Sequence, residues 1–142
     1  MFELTTDAYF DSAHFLADYY GKCENLHGHR WKVTVGISGD LGKSGTERGM
    51  VCDFGSFKKT VRRVVGEFDH TFLVEDGTLK PGTISALKSE GFSLKILPFR
   101  TTAENLARHF YEVLKEEGFN VSFVEVAETP NNRARYYLQA EN

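Results

Sequence analysis

Residues 2 to 14 set Phe2, Leu4, Ala8 and Phe10 against Glu3, Asp7 and Asp11, the period of two of a half-buried strand, and His14 falls in phase with the apolar set. Residues 27 to 38 repeat the alternation. Trp31, Val33, Val35 and Ile37 face one way and Arg30, Lys32 and Thr34 the other, with His27 and His29 on the apolar parity. After the Gly-rich stretch Gly39 to Gly49, Phe57, Val61, Val64, Val65 and Phe68 recur at helical spacing and predict an amphipathic helix ending near Asp69 and His70. TTAENLARHFYEVLKEEGF predicts a second helix, with Thr101 and Glu104 in a capping-box pattern, Leu106, Phe110, Val113 and Leu114 as its buried stripe and Gly118 closing it. Strands over 121 to 129 and 133 to 138 flank the turn Pro130-Asn131-Asn132. Residues 75 to 99 hold two of the three prolines and no sustained period, so they read as a long loop with room for a short helix or hairpin.

The resulting order, ββααββ, predicts an α+β fold in one domain over residues 1 to 142: a four-stranded antiparallel sheet with two helices on one face. Its outer strands would present unpaired backbone groups, which predicts association through the edges. The 41% hydrophobic content is enough for a core. A net charge of −3 argues against a nucleic-acid or anionic-membrane surface and confines any phosphate site to a local patch. Two cysteines without a CxxC pair can build neither a disulfide framework nor a four-thiolate zinc site, which fits a reducing cytoplasm. No stretch approaches the roughly 18 apolar residues that would span a bilayer, so a soluble protein is expected.

His27 and His29, two apart on a strand, leave the same face roughly 7 Å apart along the chain, within reach of one ion. His14 ends a strand of matching phase. Three imidazoles converging on a point, with a fourth position open, form the kind of site zinc uses in catalysis, and Gly28 between two of them allows close approach to the backbone. A lone histidine is more often satisfied or exposed than ligating, and H-x-H does not decide the matter alone. Three of five histidines on core parity, where an unpartnered imidazole is costly, favour the metal. His109, beside the second helix's stripe, has no ligand-spaced neighbour, and Cys52, in an apolar run beside Val51, reads as core.

CENLHGH at 23 to 29, with FDSAH at 10 to 14, FDH at 68 to 70, TTAEN at 101 to 105 and ETPNN at 128 to 132, resembles the 6-pyruvoyl-tetrahydropterin synthase and 6-carboxytetrahydropterin synthase family. The resemblance implies a tunnelling fold whose subunits close into a trimeric barrel, two trimers stacking as a homohexamer with active sites between subunits. It implies Zn2+ on His14, His27 and His29, Cys23 as general base, Asp69 and His70 as a proton-handling pair, and Glu128 as anchor of a pterin triphosphate substrate, with Thr102 and Glu104 of TTAEN beside it. These roles suit the chemistry. A thiol is mostly protonated at neutral pH, so a cysteine base needs positive charge nearby. Glu128 shares the parity of Val124 and Val126, and a carboxylate placed there can take the paired N–H donors of a pterin edge. Glu125, on the other parity, reads as an outward charge, and Glu104 serves equally as a helix cap.

Three residues between Cys23 and His27 resemble the bacterial 6-carboxytetrahydropterin synthases of queuosine and deazapurine biosynthesis; the pyruvoyl enzymes of mammalian type have a longer spacer. Glu24 makes the pattern CExxHGH, which looks like a subgroup carrying both the cysteine and the glutamate used by relatives that form 6-hydroxymethyl-dihydropterin for folate. The resemblance therefore implies conversion of 7,8-dihydroneopterin triphosphate to 6-carboxy-tetrahydropterin. Hydroxymethyl-dihydropterin formation or pyruvoyl synthesis stands as the enzymatic alternative, with Glu24 as a second base or a plain loop charge. A zinc-stabilised pterin-binding module is the non-enzymatic one.

Overall fold

The computed structural model describes residues 1–139. Two long strands, β1 (Phe2–His14) and β2 (His27–Gly39), form the spine and pair antiparallel over their whole length, from Phe2 opposite Gly39 to His14 opposite His27. The predicted alternation holds: Ala8, Phe10, Ser12 and His14 of β1 are buried, as are Trp31, Val33, Val35 and Ile37 of β2. Helix α1 (Phe54–Gly66) is capped by Asp53, whose side chain accepts from Ser56 N. It buries Phe57, Val61, Val64 and Val65, and Phe68 joins them in the core. β5 (Val121–Thr129) pairs with β2, and β6 (Asn132–Tyr136) with β5. The β2–β5 register shifts at Gly36, where a Cβ would run into the Phe123 ring, so only glycine fits the bulge.

The stretch from 71 to 99, of which 75 to 99 read as a loop, contains more. β3 (Thr71–Glu75), α2 (Pro81–Ser89) and β4 (Leu94–Leu97) form a β-α-β unit, with β3 parallel both to β1 and to β4. Among the described residues the sheet thus has six strands rather than four, in the order β4-β3-β1-β2-β5-β6, and there are three α-helices rather than two. The α+β class stands, but the simple antiparallel meander does not. A parallel neighbour needs a crossover, which α1 and α2 supply. The open edges are β4 and β6, both short.

Helix α3 (Ala103–Glu116) begins one residue later than the capping-box pattern implied. Thr102 is the N-cap, accepting from Asn105 N, while Thr101 is wholly buried and engaged elsewhere. Leu106, Phe110 and Leu114 are buried as predicted, Val113 only partly, and Gly118 closes the helix at φ +102°. The core between α1, α3 and the sheet centres on Phe10, stacked parallel on Trp31 at 5.5 Å and edge-on to Phe68 and Phe110. Burying an aromatic of this size stabilises by a few kcal/mol, roughly, so the same strands that carry the histidines carry the core.

Candidate functional site

At the closed end of the β1–β2 ladder, His14, His27 and His29 bring one nitrogen each to within 4.8 Å of one another. The rings pack tilted or edge-to-face at 4.6 to 5.2 Å over Trp31, which forms the floor. His14 Nδ1 lies 2.9 Å from the carbonyl of Thr101 and 3.1 Å from its hydroxyl, and His27 Nδ1 lies 2.7 Å from the carbonyl of Asn25. A carbonyl accepts only, so Nδ1 carries the proton in both rings and Nε2 keeps its lone pair. All three Nε2 atoms are buried with no hydrogen-bond partner among the described residues. Burial, then the neighbouring His27, lowers the pKa of His14 to about 4 and also lowers that of His29. Three imidazoles with orphaned, convergent lone pairs fit a cation, and the carbonyls of Thr101 and Asn25 orient two of the rings as metal-ligating histidines are oriented. At Gly28, a Cβ would meet Ser12 O only at 3.6 Å, so none of the described residues makes the close approach that glycine permits there.

Glu128 lies beside this cluster, Oε2 at 4.0 Å from His29 Nε2, at a register shift in the β5–β6 pairing. Burial raises its pKa, the field of His27 opposes that, and Glu104 reinforces it. With the His29 pKa lowered the contact is not an ion pair, and no hydrogen-bond donor reaches the half-buried carboxyl among the described residues. Glu104 and Glu128 both line a cleft of about 450 Å3 with Ala103, Asn131, Asn132 and Arg133. Thr102 is occupied in capping α3.

Two more of the predicted residues, Glu24 and His70, border a cleft on the other face. Ala13 points opposite to His14 and lines this larger, mainly apolar cleft of about 760 Å3 with Phe15, Phe72 and Phe92. Asp69 Oδ2 accepts from His70 Nδ1 at 2.9 Å and Oδ1 accepts from Asp11 N at 2.8 Å; these bonds, Asp11 first, lower the Asp69 pKa. Glu24 spends one carboxylate oxygen on Tyr20 N, at 2.8 Å. Cys23 is half-buried on a single 3-10 turn, Lys22–Glu24, its carbonyl accepting from Leu16 N. One chain therefore sets Glu128 beside the histidines and, with Glu104, along one cleft, while Glu24 and the His70 of the Asp69–His70 pair line another. Sequence reasoning missed Thr101, the partner of His14. It also missed Ser12, a buried polar residue on the apolar parity of β1, although that parity was a readable signal.

A family model described as 6-pyruvoyl tetrahydropterin synthase matches residues 3–139. The chain is 42% identical over 113 residues to the 6-carboxy-5,6,7,8-tetrahydropterin synthase of Haemophilus influenzae, covering 78% of this chain and 80% of that protein. The fold is similar to an uncharacterized Wolinella succinogenes protein (TM-score 0.80, 23% identity, 97% of this chain and 98% of the other) and to the Caenorhabditis elegans 6-pyruvoyl tetrahydropterin synthase (0.69, 24%, 97% and 96%). The chain belongs to the 6-pyruvoyl tetrahydropterin synthase family, enzymes that act on small pterin substrates. No helix among the described residues is long and apolar enough to cross a membrane.

Proposed function

We propose that this chain is a zinc-dependent 6-carboxy-5,6,7,8-tetrahydropterin synthase, converting 7,8-dihydroneopterin triphosphate with loss of the terminal side-chain carbons and the triphosphate. The observation that carries the reading is the trio of buried, partnerless Nε2 atoms on His14, His27 and His29, in a chain 42% identical to a protein of that name. Bound there, zinc supplies Lewis-acid polarisation of oxygens on the substrate side chain.

The chain's own residues do the rest. Glu128 accepts the ring N–H and amino group of the pterin, which supplies the donor its half-buried carboxyl lacks. Thr102 and Glu104 border the ring at the start of α3. Cys23 removes the side-chain proton. Asp69 holds the His70 imidazole with its proton on Nδ1, leaving Nε2 to take or return a proton. His70, with 79% of its side chain exposed, faces outward. A neighbouring copy can therefore bring its own pair to the histidine cluster of this one, which supports a homohexamer of two stacked trimers with sites between subunits. The open edges at β4 and β6 suit that closure. The setting is the cytoplasmic pathway to queuosine and deazapurines.

A second reading, 6-hydroxymethyl-7,8-dihydropterin formation alone or alongside, is favoured by one observation: Glu24 lines the same cleft as His70. Mass spectrometry of products formed from 7,8-dihydroneopterin triphosphate by the zinc-loaded protein tests the proposal. The 6-carboxy product is expected. The hydroxymethyl product alone would move the assignment to the second reading, and no turnover at all would leave a pterin-binding module.

A further inference from the structure

Between the end of α1 at Gly66 and the start of β3 at Thr71, the chain reverses within four residues, two of which are Asp69 and His70. Phe68, whose ring is buried against Phe10 and Phe110, turns its carbonyl toward the sheet, where two hydroxyls meet it. Ser12 Oγ donates to it from β1 and Thr71 Oγ1 donates to it at 2.7 Å from β3, the two hydroxyl oxygens standing 3.4 Å apart. Ser12 and Thr71 are also partners where β1 and β3 run parallel. Both lone pairs of one carbonyl are thus used, each by a different strand, which fixes the peptide plane from which Asp69 departs.

The two residues beyond that plane are over-determined. Asp11 N donates to Asp69 Oδ1 at 2.8 Å, and Asp11 O accepts from His70 N at 2.7 Å. His70 sits at φ +58°, a left-handed conformation that a non-glycine residue keeps only when its surroundings impose it. With Nδ1 bound to Asp69, the ring is held in one orientation at the rim of the larger cleft.

We propose that Ser12 and Thr71 are positioning residues for the Asp69–His70 pair: by clamping the Phe68 carbonyl, their hydroxyls hold the left-handed turn that aims the His70 imidazole. The proposal rests on reading that pair as the proton-handling one. Neither hydroxyl is needed to satisfy the strand ladder, and Thr71, although it borders the cleft, turns its oxygen back to Phe68.

Thr71→Val removes one hydroxyl at nearly constant volume, Thr71→Ser keeps it, and Ser12→Ala removes the other. In the zinc-loaded enzyme, Thr71→Val and Ser12→Ala are expected to lower kcat about tenfold, with KM and metal content within about twofold of the parent, and Thr71→Ser to match the parent. The double variant should lose little more than the worse single one, because both hydroxyls act through one carbonyl. The second readout is nitrogen NMR of the His70 ring. A single Nδ1–H tautomer is expected in the parent and Thr71→Ser, and a tautomer mixture in Thr71→Val and Ser12→Ala. An unchanged His70 signal in both hydroxyl-free variants overturns the clamp, as does a rate loss that Thr71→Ser shares or one carried by KM or metal content. Full activity of His70→Ala would instead overturn the role of the pair, and the NMR result would still decide whether the clamp exists.

Discussion

The Nδ1 atom of His14 lies 2.9 Å from the carbonyl oxygen of Thr101, a bond that joins the last residue of β1 to the residue just before the N-cap of α3. It ties a candidate metal ligand to the same short segment that supplies Thr102 and Glu104. The metal cluster and the lip of the Glu128 cleft are thereby set by one connection, and the energetics of the two can be separated by substitution.

Removing one of three protein ligands from an open site leaves too few to hold the ion. His27→Ala and His29→Ala proteins should therefore purify with little zinc where the parent carries one per subunit, as measured by atomic absorption. Full metal content in His29→Ala would remove the histidine cluster as the zinc site.

Glu128→Gln should behave differently. The carboxyl lies next to the cluster without bonding to it, so zinc content should stay near that of the parent. Pterin affinity should fall by about 2 kcal/mol or more, since one partner of a paired, desolvated contact is lost. Calorimetry with a pterin ligand measures this, and unchanged affinity would place the ring anchor elsewhere.

Cys23 and Glu24 are adjacent, yet only Glu24 has a side-chain hydrogen-bonding task within the described chain, on Tyr20 N. Gln can keep that bond while losing the charge, so Glu24→Gln isolates chemistry from loop structure and Glu24→Ala does not. Cys23→Ala should abolish the carboxy product and leave some hydroxymethyl product, and Glu24→Gln should do the reverse. Unchanged yields of both in Glu24→Gln would make Glu24 a structural loop residue only.

His109 provides a pH test away from the cluster. Its ring lies 5.5 to 5.7 Å from those of Phe99, Phe68 and Phe110. Burial, then Lys95, lowers its pKa below the ordinary 6.5. The unfolded chain then binds a proton more readily than the folded one, so stability is lost as pH falls from about 6.5 toward the depressed folded value. Urea midpoints measured across that window should drop less steeply for His109→Gln than for the parent. Parallel slopes would show that His109 is not buried in its neutral form.

Sequence reading succeeded where one residue type repeats at one period. β1 and β2 alternate cleanly because one face meets α1 and α3, and that parity also placed the three histidines together. It failed between Thr71 and Phe99 for physical reasons. β3 and β4 are five and four residues long, and α2 buries no residue completely, so no stripe marks it. Pro81 in the first turn of α2 was the available start signal. Thr101 and Thr102 could not be told apart because TTAE offers two hydroxyls as caps, and only the tertiary contact with His14 separates them. Pair formation between Asp69 and His70 could be named by resemblance, but the left-handed turn that makes it depends on Asp11, which is 58 residues away from Asp69.

Ala13 and His14 are neighbours in the chain that face different chambers, and β1 is the partition between them. Inserting or deleting a single residue between Ala8 and His14 would send an imidazole into the apolar chamber and a methyl group into the histidine one, reversing every side chain beyond it. The partition can therefore accept new side chains at single positions far more readily than a change in length. What keeps two chemistries apart on one thin strand is an integer, the number of residues between its core anchors and its end.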